Sequence, residues 1–164
     1  MKFSLYFNWL FYYFCSIKIW KHVPKKVLPK LQMMATRFPA NQTLHDRVVQ
    51  TAYNNLNKTA HDVYVNNGGM RITSVYGEYP DIIITPKGSN SVQWIIEIET
   101  VDSITDTEAS QWKVYSNLGG IFYILVPRQS RILVETICLK HGIKARYGTY
   151  QIDNWGGISN IIYE

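Results

Sequence analysis

Cysteine is scarce, with Cys15 and Cys138 the only two in 164 residues. Two thiols so far apart exclude a disulfide framework and a cysteine zinc site, so a reducing compartment, the cytoplasm, is the expected location. Acid is missing from residues 1–40, which hold seven Lys/Arg and carry +7. The rest holds ten Lys/Arg against twelve Asp/Glu, so the overall +5 comes from the tail and the remainder is mildly acidic at −2. The basic balance therefore does not mark the body of the chain as a nucleic-acid binder, although a local basic strip can still follow phosphates.

A long apolar run is missing too. Phe3–Trp20 is rich in aromatics, but Asn8, Ser16 and Lys18 interrupt it, and a spanning helix needs about 20 mostly apolar residues. No small-x-small cleavage site follows, which argues against a signal peptide. If residues 3–20 insert, the five lysines from Lys18 to Lys30 keep the following domain cytoplasmic. Otherwise residues 1–40 form a loose extension, with Met33 and Met34 as later candidate starts. Repeats and low-complexity tracts are also lacking.

What is present suffices for one domain over residues 41–164, since 46% of the chain is hydrophobic and can build a core. Asn41 or Thr43 caps a helix whose stripe of Leu44, Val48, Ala52 and Leu56 repeats every four residues and ends near Asn57. Short strand-like runs follow at His61–Val65, Arg71–Tyr76 and Asp81–Thr85, divided by Asn66-Asn67-Gly68-Gly69 and Gly77-Glu78-Tyr79-Pro80. The turn cluster Pro86–Asn90 predicts that Val92–Thr100 pairs back as a hairpin. Thr105-Asp106-Thr107-Glu108 reads as a capping box opening a helix to Leu118, which Gly119-Gly120 stops. Ile121–Val126 has the continuous apolar pattern of a strand buried on both faces. A helix over Ser130–His141, stopped by Gly142, and a strand over Ile143–Ile152 complete an α/β order suited to a mixed central sheet flanked by helices. Cys138, Trp94 and Trp112 fall at core positions.

In Trp94-Ile95-Ile96-Glu97-Ile98-Glu99-Thr100, strand alternation sends Ile96 and Ile98 to one face and both glutamates to the other. Carboxylates about 6–7 Å apart repel by roughly 2–3 kcal/mol at an effective dielectric near 20, so stability alone does not keep them in a sheet centre. The hairpin brings Asp81 alongside Glu97. Three convergent carboxylates make a hard-oxygen site for Mg²⁺ or Mn²⁺; the structural alternative is solvent-facing acids on an edge strand.

Pro80-Asp81, followed after fifteen residues by Glu97-Ile98-Glu99, resembles the PD-(D/E)XK motif of restriction-endonuclease-like nucleases. The element order over residues 43–152 is similar to their αβββαβ core. Glu99 departs from the pattern, because the family usually has lysine there. Gln111-Trp112-Lys113-Val114-Tyr115 resembles the QxxxY motif of RecB-type members, and Gln111 and Tyr115 share a helix face. Lys113 lies on the opposite face, toward solvent.

The resemblance implies a metal-dependent nuclease hydrolysing phosphodiester bonds, with nucleic acid, DNA first, as partner. It assigns metal binding to Asp81, Glu97 and the Ile98 carbonyl, metal or water orientation to Glu99, and substrate positioning to Gln111 and Tyr115. His45 resembles an accessory histidine that such members place before the motif, and equally suits a packed or surface position. Arg128, Arg131, Lys144 and Arg146 either line a phosphate track or are scattered surface charge. The alternative function is a catalytically inactive module that keeps the fold to bind nucleic acid or protein. A homodimer stays open, and a membrane is a partner only if residues 3–20 insert.

Overall fold

Strand β3 (Trp94–Ile98) is the axis of a six-stranded mixed sheet whose spatial order is its sequence order. A computed structural model of the chain describes residues 39–164; the tail, anchor and later-start readings of the N-terminus, and Cys15, lie outside the described residues. Helix α1 (Pro39–Asn55) precedes β1 (His61–Val65), β2 (Ile82–Pro86) and β3; α2 (Ala109–Tyr115), β4 (Ile121–Pro127), α3 (Arg131–His141), β5 (Arg146–Ile152) and β6 (Ile158–Tyr163) follow. A single 3₁₀ turn, Arg128–Ser130, joins β4 to α3.

The first three strands form the expected meander, β1 against β2 and β2 against β3 both antiparallel. Strand β4 runs parallel to β3 and β5 parallel to β4, each reached through a helix, and β6 returns antiparallel. Side-chain alternation divides the core in two. Ile82, Ile84, Ile96, Ile98 and Leu125 pack with Val48, Val49 and Ala52 of α1. Ile83, Ile95, Phe122, Ile124 and Val126 pack with Trp112 and Tyr115 of α2 and with Val134, Ile137 and Cys138 of α3. Each fully buried isoleucine stabilises the fold by about 1.5–3 kcal/mol, so these layers fix the register of β3 against its neighbours.

Several expected boundaries hold. Gly142 ends α3 in a left-handed conformation at φ 59°, its N–H meeting the carbonyl of Leu139. Helix α2, expected to run to Leu118 before Gly119-Gly120, instead ends at Tyr115 with Ser116 as its C-cap; Gly120 is needed for a different reason, because a Cβ there would press on Val92 and the Gln93 carbonyl. Three further expectations need correction. Arg71–Tyr76 is a loop with one isolated bridge, Val75 to Glu78, because the Asn66 side chain takes the hydrogen bonds that a strand would have offered. Helix α2 starts at Ala109 with Glu108 at its N-cap and no side-chain cap bond at that position, one turn later than the predicted box places it; the Glu108 N–H to Thr105 Oγ1 contact of the box forms, at 3.4 Å. The last strand is β6, beyond the predicted end at Ile152. Trp94 is half-buried, whereas Trp112 is 0% exposed.

Among the described residues, no helix is long and apolar enough to cross a membrane.

Candidate functional site

The β2–β3 hairpin pairs Ile82 with Ile96, so the residue before β2 and the residue after Ile96 meet at one sheet end. There the Asp81 N–H donates to Glu97 Oε2 at 3.2 Å, and the Ile98 N–H donates to Asp81 Oδ2 at 2.8 Å. Both carboxylates are nearly sealed, Asp81 8% and Glu97 5% exposed. Charges so close and so dry repel strongly, and backbone N–H donors offset part of that cost.

A third group comes from α1. His45, 2% exposed, places Nε2 2.9 Å from Asp81 Oδ2 and Nδ1 3.3 Å from Asp46 Oδ1. The sequence left His45 between a packed residue and an accessory one. The structure makes it buried and bonded to the motif aspartate.

Helix α2 supplies the fourth group. Gln111 Nε2 lies 3.3 Å from Glu97 Oε1 and 2.6 Å from Tyr115 Oη. Tyr115 is 1% exposed, so its hydroxyl orients Gln111 and reaches a substrate only through it. Burial first, then the Glu97 charge, push the Tyr115 hydroxyl far above its ordinary range, which keeps it neutral. Lys113 points away, as expected, and donates to the Gly142 carbonyl.

Glu99 shares the α2-facing side of the strand with Glu97, yet its carboxylate is drawn inward. Oε1 accepts the Trp112 indole N–H at 2.8 Å, Oε2 accepts the Ser103 hydroxyl, and the residue is 1% exposed. Where the resemblance expects a lysine, this chain has a carboxylate bonded into the core. The three-carboxylate convergence expected from the sequence thus becomes two carboxylates with a histidine, and the third acid is turned to a tryptophan. Among the described residues, no group of three or more His, Cys, Asp or Glu is arranged to hold a metal ion.

One organiser of the site was not read from the sequence. Asn66, 6% exposed, donates from Nδ2 to the carbonyls of Pro80 (2.7 Å) and Thr73 (2.8 Å) and accepts the Ile72 and Thr73 N–H groups on Oδ1. Its own N–H donates to the Asp81 carbonyl at 2.9 Å. The side-chain amide thereby uses all four of its hydrogen-bonding positions, and it clamps Pro80-Asp81 in place. The Asn-Asn-Gly-Gly cluster was the only sequence signal, and it was read as a turn.

No family model, curated protein or solved structure matches this chain.

Proposed function

We propose that this chain is a metal-dependent nuclease that hydrolyses phosphodiester bonds of DNA, with Asp81 and Glu97 as its metal-binding pair. The observation that carries this reading is the hydrogen-bonded convergence of Asp81, Glu97, His45 and Gln111, from four separate parts of the chain, at one sheet end. The order α1-β1-β2-β3-α2-β4 supports a restriction-endonuclease-like core, because it repeats the αβββαβ order that the Pro80-Asp81 and Glu97-Ile98-Glu99 resemblance implies.

The donors fit a hard cation. Mg²⁺ keeps most of its waters and is held by one or two carboxylates together with substrate phosphate oxygens, and Mn²⁺ accepts the same ligands. Asp81, Glu97 and the Ile98 carbonyl would hold it, and when bound it supplies charge against the phosphoryl oxygen and acidifies a water. The protein's own residues do the rest. His45 and the Ile98 N–H fix Asp81 Oδ2, and Gln111, steadied by Tyr115, fixes Glu97 and has its amide oxygen left for the substrate. Glu99 braces the strand through Trp112.

A second reading rests on Glu99 itself. Because no lysine or free carboxylate stands at that position, a catalytically inactive module with the same fold is the competing function. Incubating the full chain with single-stranded, duplex and branched DNA in Mg²⁺, Mn²⁺ or EDTA separates the two. Cutting that EDTA abolishes supports the nuclease; intact DNA beside a folded, metal-binding protein supports the module.

A further inference from the structure

The parallel run of β3, β4 and β5 brings their C-terminal ends to one edge of the sheet. Glu97 stands near the end of β3. At the ends of β4 and β5 an open groove of about 540 Å³ is lined by Arg128, Gln129, Tyr150, Gln151, Asp153 and Ser159. Two strand spacings, roughly 10 Å, separate β3 from β5, a distance that a short oligonucleotide spans. Tyr150 connects the two places, since it lines the groove and donates its hydroxyl to the Glu99 carbonyl at 3.0 Å.

Four cations were candidates for a phosphate track, and the fold separates them. Arg131 is paired with Glu135 and Glu164. Arg146, at the start of β5, reaches the Tyr123 hydroxyl at 3.4 Å, and Lys144 precedes it at that same far end. Only Arg128 lines the groove. It is exposed, and its side chain makes no hydrogen bond or ion pair among the described residues.

Beside the groove, the β5–β6 turn holds out Trp155, 92% exposed. The turn is tightly built. Asp153 Oδ1 accepts the N–H groups of Trp155 (2.9 Å) and Gly157 (2.6 Å), which turns the one acid of the groove toward backbone donors. A Cβ on Gly157 would collide with that carboxylate, and Gly156 holds φ 80°. Arg47 of α1, two residues beyond His45, donates to the Gly156 carbonyl and ties the turn to the helix that reaches Asp81.

We propose that this groove is the substrate-strand subsite, with Arg128 on a phosphate and Trp155 stacked on a base, and that the substrate strand is single-stranded. The inference rests on the nuclease reading. A free indole stacks on a base that is not already stacked in a duplex, and a single cation beside it follows the backbone.

Anisotropy of a fluorescein-labelled mixed-sequence DNA strand, measured in EDTA over a series of salt concentrations, tests it on the full chain, Arg128→Ala and Trp155→Ala. Both positions are exposed, so folding is preserved. Trp155→Ala is expected to weaken binding roughly 5- to 100-fold, and Arg128→Ala to reduce the log–log salt slope by about 0.7. The matching duplex is expected to bind more weakly and to ignore Trp155→Ala. Equal binding by all three proteins, or equal losses on strand and duplex, overturns the inference; cutting of DNA by the unaltered chain in Mg²⁺ then leaves the nuclease standing. Losses as expected, with no cutting by the unaltered chain, overturn the nuclease and with it the groove's role toward a substrate, and leave a groove that binds single strands.

Discussion

Trp112 donates its indole N–H to Glu99 Oε1 at 2.8 Å, and both residues are at most 1% exposed. This bond converts a position that the PD-(D/E)XK resemblance reserves for catalysis into a strut between β3 and α2. Glu99→Ala leaves the Trp112 donor and the Ser103 hydroxyl without this acceptor in the core, and costs about 2 kcal/mol of stability in denaturant unfolding. Glu99→Lys, which writes the family's lysine back, faces an indole donor with an ammonium. It destabilises the fold and fails to raise DNA cleavage; a faster enzyme would show that Glu99 occupies the lysine's catalytic place.

His45→Asn removes the ring that meets Asp81 Oδ2. Such outer partners of metal ligands typically contribute 10–100-fold in affinity or activity. A loss of that size in Mn²⁺ affinity, read by calorimetry with the fold intact by circular dichroism, is expected, and unchanged affinity would make His45 a packing residue.

Asn66→Ala deletes four hydrogen bonds around the Pro80-Asp81 junction. Partial exposure of the loop lets water replace some of them, so the expected cost is about 2 kcal/mol. Hydrogen exchange should rise over residues 70–81 and stay low in β4. A uniform rise through the sheet would mean global loosening and not a local clamp.

Stability should fall with rising pH in the alkaline range. Burial and the Glu97 charge raise the Tyr115 hydroxyl above its ordinary 10.0, and burial pushes Tyr163 up to about 12. A group whose pKa is raised by folding stabilises fully below its unfolded value and loses that contribution as pH climbs toward the folded one. Unfolding midpoints should therefore drop from about pH 10 upward, and Tyr115→Phe, less stable at neutral pH for want of the Gln111 bond, should show a shallower decline.

The parts of the fold written in a regular period were readable. Alternation in Trp94–Thr100 put Ile96 and Ile98 on one face and both glutamates on the other, and the turn from Pro86 brought Asp81 to Glu97; that α1 covers the first face came from the structure. Irregular backbone hid the rest. Ile158–Tyr163 does not alternate cleanly, because Asn160 takes φ 50° and the β5–β6 register shifts between Thr149 and Gln151. Arg71–Tyr76 has the β-branched and aromatic residues of a strand between two turn clusters, yet Ile72 and Tyr76 are 66% and 89% exposed, since the segment ladders onto the Asn66 side chain and not onto a strand. The inward turn of Glu99 was equally invisible: spacing names the face a carboxylate takes, and only a neighbour such as Trp112 decides whether it meets solvent or core.

Metal-dependent DNA cleavage by Asp81→Asn, Glu97→Gln and Glu99→Gln, each compared with the unaltered chain, tests the central claim most directly. Cleavage lost in the first two and retained in Glu99→Gln, whose amide oxygen can still accept the Trp112 bond, is the predicted result. Cleavage that survives Asp81→Asn and Glu97→Gln, or that disappears with Glu99→Gln in a folded protein, would contradict an active centre built on Asp81 and Glu97.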